Sequence, residues 1–599
     1  MKRLFFILLL FVLSIGLIAC STTKPEDNNN DNDNGNLIDD ENDRDNDNED
    51  EEEDADPTDE ELLHERILEI MASLSIEEKL GQLFIVGFPG KTVPNSLRNT
   101  VKEKRFGNFI YFGENVEKNL GVAAMSNQIQ DLVLDEVGIP AFIAMDHEGG
   151  MVVRFTENAT HFIGNMGLAA TGNALNAYNV GKYSGMELRH YGVNLNFAPV
   201  MDVNNNPQNP VIGVRSFSDD PEVVSSYGIN LIKGYSEANV LTTAKHFPGH
   251  GDTVVDSHYG LPKINHNKER LYEIELAPFI DAINAGVDSI MSAHIIFSAF
   301  DNELPATLSY KVLTELLREE LGFGGLIITD EMRMQAIRDN FGVAEAGIMA
   351  LKAGADMLLY AESTSTSVEA YNGVLNAIKA GEISEARIDE SVYRVIKTKI
   401  KYGLFEDNQA KLNLDSEKFN EHYEFNRNLV ESSITLAKGN VDWFNKEKST
   451  LLISTRATRH PLLPGYSINT DANSFANVGK KYLDDEGATN VRSHVIGTSL
   501  KSSDINNIKN IAKNYEQVVI AVENVTSTQA NLINELGKEV DNLVVVALRN
   551  PYDYLVYENI NNYICTYGYF SDAVFSVFDL LLGKFEATGK LPVKVNGLN

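Results

Sequence analysis

The sequence predicts an α/β protein: a (β/α)8 TIM-like barrel followed by a smaller α/β layered domain. Three observations carry this. Short apolar runs recur eight times between residues 83 and 360, separated by helix-length segments. Five consecutive runs end in ionisable residues, as barrel strands do where they build a site. A second alternating series occupies the last 170 or so residues, and 599 residues exceed what one core supports. An open doubly wound sheet has the same alternation and remains the alternative for the first series.

The chain opens with Lys2 and Arg3 before an apolar run over 4–19 that ends Leu17-Ile18-Ala19-Cys20. This has the form of a secretory signal and is short for a spanning helix. It resembles the bacterial lipobox, which implies lipidation of Cys20. An uncleaved signal anchor is the other reading, and both place the body outside the cytoplasm, tethered to a membrane. Residues 26–60 hold 19 acids against one base, about half of the net charge of −35. With almost no apolar residues they read as a disordered, self-repelling spacer with a reach of roughly 35 Å or more. The acidic balance argues against nucleic acid as a partner. Besides Cys20 only Cys565 remains, so no intrachain disulfide framework is expected.

Residues 61–83 show helical periodicity, with Ser75-Ile76-Glu77-Glu78 fitting a capping box. The strands follow at 83–88, 108–112, 141–145, 194–199, 241–244, 289–293, 326–329 and 357–360, with helical patterns over 177–190, 221–238, 270–285 and 309–321. The boundaries are a signal at 1–20, a spacer at 21–60, a barrel at 61–405, a linker at 406–428 and a C-terminal domain at 429–599. In that domain, strands are expected at 451–454, 518–522, 543–548 and 564–567.

The ionisable residues after the strands are Asp146-His147-Glu148, Asp202, Lys245-His246, His294 and Asp330-Glu331. The densest cluster is Lys245-His246-Phe247-Pro248-Gly249-His250-Gly251-Asp252-Thr253 with Asp256-Ser257-His258. Its imidazoles and carboxylates could ligate a metal, but Pro248-Gly249 keeps His246 and His250 off one helical face and Lys245 would repel a cation. An acid/base dyad is the second reading, with Asp256 supporting His258. Histidines that satisfy backbone groups in a glycine turn are the third, and suit His250. Asp330 ends an apolar strand: it is placed either as a nucleophile opposite an acid/base group or as the N-cap of a helix starting near Met332.

The nine residues 245–253 with Asp256-Ser257-His258 resemble the signature of glycoside hydrolase family three, in its β-N-acetylhexosaminidase branch. Asp146-His147-Glu148-Gly149-Gly150 with Arg154, residues 196–203, Arg215-Ser216-Phe217 and residues 328–332 resemble further motifs of that family in order. The resemblance covers roughly 62–405, and Gly589-Lys590-Leu591-Pro592-Val593 resembles the second domain of longer members. It implies Asp330 as nucleophile, and His258 paired with Asp256 as acid/base. It implies Asp146, Arg154, Arg215, Lys245 and His246 as binders of a terminal N-acetylglucosamine, with no metal and no cofactor. Two departures are His147 for the usual glutamine and Met151 for the usual arginine, where altered packing or substrate preference is expected. The implied activity is a retaining exo-β-N-acetylglucosaminidase acting on peptidoglycan or chitin fragments. The alternatives are an N-acetylglucosaminide phosphorylase and a non-catalytic sugar-binding lipoprotein.

Overall fold

A computed structural model describes residues 58–116, 121–155, 157–361, 364–412, 416–456 and 471–598. The expected signal, Cys20 and nearly all of the spacer lie outside the described residues. Among the described residues, no helix is long and apolar enough to cross a membrane.

The helical stretch expected over 61–83 is two helices, Asp59–Ala72 and Ile76–Gly81. Ser75 separates them. Its hydroxyl accepts from the Glu78 N–H while the Glu78 carboxylate accepts from the Ser75 N–H, the expected capping box.

Among the described residues eleven strands follow: β1 Phe84–Val86, β2 Asn108–Tyr111, β3 Phe142–Met145, β4 Leu195–Asn196, β5 Leu241–Thr242, β6 Ala244–Phe247, β7 Lys263–Ile264, β8 Ser289–Ser292, β9 Ile296–Phe297, β10 Leu326–Thr329 and β11 Leu358–Tyr360. They form a six-stranded parallel sheet in the order β11-β1-β2-β3-β4-β5, a three-stranded parallel sheet β10-β8-β6, and the small pair β7-β9. β5 and β6 are one extended segment interrupted at Thr243, so residues 241–247 serve both larger sheets. On the other side Ile328 bridges Met357 in parallel, and the Thr329 N–H donates to the Met357 carbonyl at 3.0 Å. All eight apolar runs are therefore strands of parallel sheets.

β4 is only two residues long because side chains continue its pairing. Asn194 Oδ1 accepts from the Ile143 N–H at 2.9 Å, and the Asn196 amide bonds both the N–H and the carbonyl of His147. The helix expected over 270–285 is three pieces, with a wide turn over Leu271–Glu275 between Lys268–Arg270 and Ala277–Asn284. Pro278 has no N–H to continue a regular ladder through the join.

The second domain is a six-stranded sheet of β12 Thr435–Lys438, β13 Thr450–Thr455, β14 Val491–Ile496, β15 Gln517–Val522, β16 Leu543–Ala547 and β17 Tyr563–Cys565. Its order is β12-β17-β16-β15-β13-β14, parallel except for β12. The stretch expected as a linker holds the start of a helix, Ser416–Ser433. That helix is tied to the first domain: His422 Nδ1 meets Glu187 at 2.8 Å, and Asn426 Oδ1 accepts from the Ile163 N–H at 2.9 Å. The second domain in turn props the loops after β3 and β4. Met151 and Val214 join its apolar cluster, Tyr552 Oη meets Asn204 at 3.4 Å, and the Lys594 N–H donates to Asp219 at 2.9 Å.

Beneath the sheets Asp356 is wholly buried, and its carboxylate holds Arg318, Arg394 at 3.1 Å, the Ser391 hydroxyl at 2.7 Å and the Ile327 N–H at 2.9 Å. Removing one partner of such a network leaves buried cations without a counter-charge. Asp356→Ala is expected to cost about 3–5 kcal/mol, read as a lower thermal unfolding midpoint, while the folded fraction keeps its ligand binding. An unchanged midpoint would contradict this account of Asp356.

Candidate active site

Every expected site residue of the body except Asp256 lines one cavity of about 360 Å³, at the carboxyl ends of the strands. Asp146 follows β3, Lys245 and His246 lie on β6, and Asp330 follows β10. Arg154 and Arg215 come from the loops after β3 and β4, and His258 from the long loop after β6. Asp256 stands behind His258 and completes the set.

The floor is a charge network. Lys245 Nζ lies 2.8 Å from both Asp146 and Glu148, and Arg215 grips Glu148 with two bonds of 2.8 and 2.9 Å. Arg154 reaches Asp146 at 3.7 Å. Burial would raise the Glu148 carboxyl, but Arg215 and Lys245 outweigh it and hold the group well below the usual carboxylate range. Burial likewise opposes charge on Lys245, and Asp146 and Glu148 overcome it to raise its ammonium. The floor thus sets three basic side chains against two carboxyl groups. Fixed charged donors and acceptors at hydrogen-bond spacing suit the hydroxyls of a sugar. Glu148 stood unassigned within the quoted third-strand motif; the only signal for it was its place beside Asp146 at a strand end.

Asp330 is not an N-cap. The helix beyond it begins at Gln335, and Asp330 Oδ1 instead accepts from the Glu331 N–H at 2.7 Å. Burial would raise its carboxyl, yet the imidazoles of His294 and His246 and the Glu331 N–H hold it down at about 2. It is therefore an ionised carboxylate facing the cavity. His294, another residue left without a role, is buried beside it and donates from Nε2 to the Glu331 carbonyl at 3.0 Å, which fixes the turn that aims Asp330.

Glu331 also lines the cavity, and burial raises its carboxyl to about 7 from 4.5. A carboxyl raised by folding contributes stability that is full below 4.5 and lost as pH climbs through 7. Wild type is thus expected to lose unfolding midpoint relative to Glu331→Gln across that interval and to match its trend below it. Parallel curves from pH 4.5 to 7 would contradict the shift.

The loop after β6 is held at its root and open at its tip. Gly251 sits so close to the Val203 carbonyl that a Cβ would come within 1.6 Å of it, so only glycine fits. The His250 ring is buried between hydroxyls, Nδ1 to Thr253 at 3.1 Å and Nε2 to Ser257 at 2.9 Å, and burial lowers it to about 4, which keeps it neutral. Beside it, Asp252 meets His266 at 2.7 Å. At the tip, Asp256 Oδ1 accepts from both the N–H and Nδ1 of His258, at 2.8 and 2.7 Å. A carboxylate only accepts, so Nδ1 is the donor and Nε2 is left to exchange a proton at the cavity. The His258 side chain is 56% exposed, a group on the rim rather than in the floor.

Among the described residues, His246, His250 and His258 belong to no cluster placed to hold a metal ion. Asp252, His266 and Glu275 do come together, but the Glu275 oxygens are already taken by Asn205 at 2.7 Å and Arg270 at 2.8 Å. Of the two departures, His147 is buried and accepts from the Arg154 N–H at 3.2 Å, so it positions the segment that carries Arg154. Burial, with His161 and Arg154 near, lowers it to about 3 and keeps it neutral. Met151 packs against the second domain.

The glycosyl hydrolase family 3 N-terminal domain matches residues 75–398, which contain every strand and side chain of this cavity. The chain belongs to that family. A β-hexosaminidase A of Pseudoalteromonas piscicida is 38% identical over 333 residues, 52% of this chain and 56% of that relative's own length. A β-hexosaminidase of Tolumonas auensis is 36% identical over 283 residues, 47% of this chain and 82% of that one. Among solved structures, a glycoside hydrolase family 3 β-N-acetylglucosaminidase from Paenibacillus sp. str. FPU-7 superposes with a TM-score of 0.79 at 35% identity. It covers 87% of this chain and 99% of its own. The likeness therefore extends through the second domain as well as the first.

Proposed function

We propose that this protein is a retaining exo-β-N-acetylglucosaminidase. One observation carries the reading: an ionised Asp330 and the Asp256-supported His258 face the same small cavity, whose floor presents Asp146, Glu148, Arg154, Arg215 and Lys245. The β-N-acetylglucosaminidase and β-hexosaminidases to which the chain is similar supply the sugar. A cavity of about 360 Å³ suits one terminal residue rather than a threaded chain.

In the proposed reaction, the floor residues and His246 hold the terminal sugar by its hydroxyls. Asp330 attacks the anomeric carbon while His258 gives its Nε2 proton to the departing glycosidic oxygen. The product of this step is a glycosyl ester on Asp330 and a free aglycone. His258 then takes a proton from water, and the oxygen adds to the anomeric carbon as the Asp330 bond breaks, restoring the original configuration. The two parallel sheets joined through 241–247 and the Ile328–Met357 bridge fit a closed eight-position barrel. Its limits would be 61–405, with a second domain from 429. Lipidation at Cys20 would tether the enzyme outside the cytoplasm, where peptidoglycan or chitin fragments are the substrates it would meet.

Phosphorolysis is the second reading, favoured by an imidazole in the acid/base place, which does not repel an anionic acceptor as a carboxylate would. A chromogenic β-N-acetylglucosaminide, with and without phosphate, tests both. Turnover to free β-configured N-acetylglucosamine is expected; a sugar 1-phosphate would transfer the assignment to the phosphorylase. Sugar binding without turnover would leave a carrier protein and end the enzyme reading.

A further inference from the structure

Asp202 follows the fourth strand with no solvent exposure, a place where an unpaired carboxylate costs several kcal/mol. It is fully engaged. Oδ1 accepts from the backbone N–H of His246 at 3.1 Å and of His250 at 2.7 Å, and Oδ2 accepts from His246 Nδ1 at 2.7 Å. An ionised carboxylate has no proton to give, so the proton of that last bond belongs to Nδ1. In the neutral form of the ring the lone pair therefore lies on Nε2. That atom has no hydrogen-bond partner among the described residues, and His246 lines the cavity.

The cavity is otherwise rich in donors. Lys245, Arg154 and Arg215 only donate, and the Asp146 and Glu148 carboxylates are already paired with them. A sugar hydroxyl that donates needs an acceptor not taken by a cation, and His246 Nε2 is one. The same carboxylate also fixes the root of the long loop. Asp202 holds the His250 N–H, the His250 ring holds Ser257, and Ser257 stands between Asp256 and His258.

We propose that Asp202 is a positioning residue for the glycosidase reaction. It fixes the His246 proton on Nδ1, so that Nε2 meets the sugar as an acceptor for one hydroxyl, and it ties that ring to the root of the loop bearing His258. The kinetic part rests on the activity proposed above; the tautomer does not.

Asp202→Asn is the informative variant. Its Oδ1 still accepts from the two backbone N–H groups, but an NH2 now faces His246 Nδ1 and must donate to it. The His246 proton moves to Nε2 and the acceptor becomes a donor. Nitrogen-15 spectra of labelled histidine, with the His246 signals identified by their loss in His246→Gln, read this directly. Wild type is expected to show a protonated Nδ1 and a bare Nε2, and Asp202→Asn the reverse. The variant is expected to lose kcat/KM on the order of 100-fold, with much of that loss absent for the monodeoxy substrate lacking the hydroxyl that meets Nε2. A merely structural role would not separate those two substrates. A wild-type His246 protonated at Nε2 would overturn the proposal, whether or not the variant folds. So would a variant that keeps the proton on Nδ1, or one within about threefold of wild type in kcat/KM. Should wild type fail to turn over a glycoside, the activity reading falls and the spectra still decide the tautomer.

Discussion

Asp330→Asn is expected to lower kcat for an aryl β-N-acetylglucosaminide by on the order of 10⁴-fold or more, the scale seen when a nucleophile is removed. The loss is chemical rather than architectural. An asparagine keeps the oxygen that accepts from the Glu331 N–H, and the His294 bond that fixes the turn goes to the Glu331 carbonyl rather than to the Asp330 side chain. What disappears is the negative charge that attacks. That charge survives to low pH, since the carboxyl titrates near 2 against 3.8 unperturbed. A value depressed by folding adds stability that is present above 3.8 and lost as pH falls through about 2. The variant should therefore unfold slightly earlier than wild type at neutral pH, and the two should converge in acid. The acid limb of the rate profile should lie well above the range in which Asp330 titrates. Kinetics and thermal unfolding on the same preparations check both; wild-type-like turnover would remove Asp330 from its role.

His258→Ala carries the second largest effect, and its signature is selectivity. Loss of a general acid costs on the order of 10² to 10⁴ when the leaving group needs a proton. Chitobiose and other sugar aglycones should show that full range. A substrate with a strongly acidic phenol leaves unaided, so its first step should be nearly spared. Its turnover should then stall at hydrolysis of the glycosyl ester, because the base is missing too, and a burst of phenol followed by slow steady release is the expected time course. The exposed tip position means that alanine disturbs little else, since the loop is held through Gly251, His250 and Asp252. Equal losses for the two substrate types would argue that His258 positions the loop and moves no proton.

Much of this site was legible in the sequence because its residues lie at strand ends, and strand ends can be found from apolar runs such as 326–329. The dyad was legible because Asp256 and His258 are two residues apart. Glu148, Asp202 and His294 were not, because their meaning lies in partners far along the chain. Glu148 acquires its role from Lys245 and Arg215, and Asp202 from His246. The fold shows the same division. Central strands of continuous apolar residues were found, whereas the second domain's edges escaped. β12 alternates buried and half-buried residues and β14 is half-exposed along most of its length, so neither makes an apolar run. The break at Ser73–Ser75 and the helix Ser416–Ser433 turn on caps and on packing against the first domain, which periodicity alone does not report.

The central claim is that Asp330 forms a covalent bond to the sugar while His258 handles the protons. It is tested most directly by mixing His258→Ala with an acidic-phenol β-N-acetylglucosaminide, quenching in acid during the slow phase and locating the label by peptide mass spectrometry. The account predicts one N-acetylglucosaminyl residue esterified to the peptide containing Asp330, absent when Asp330 is also replaced by asparagine. A label on another carboxylate, or none during a clear burst of phenol, would contradict it.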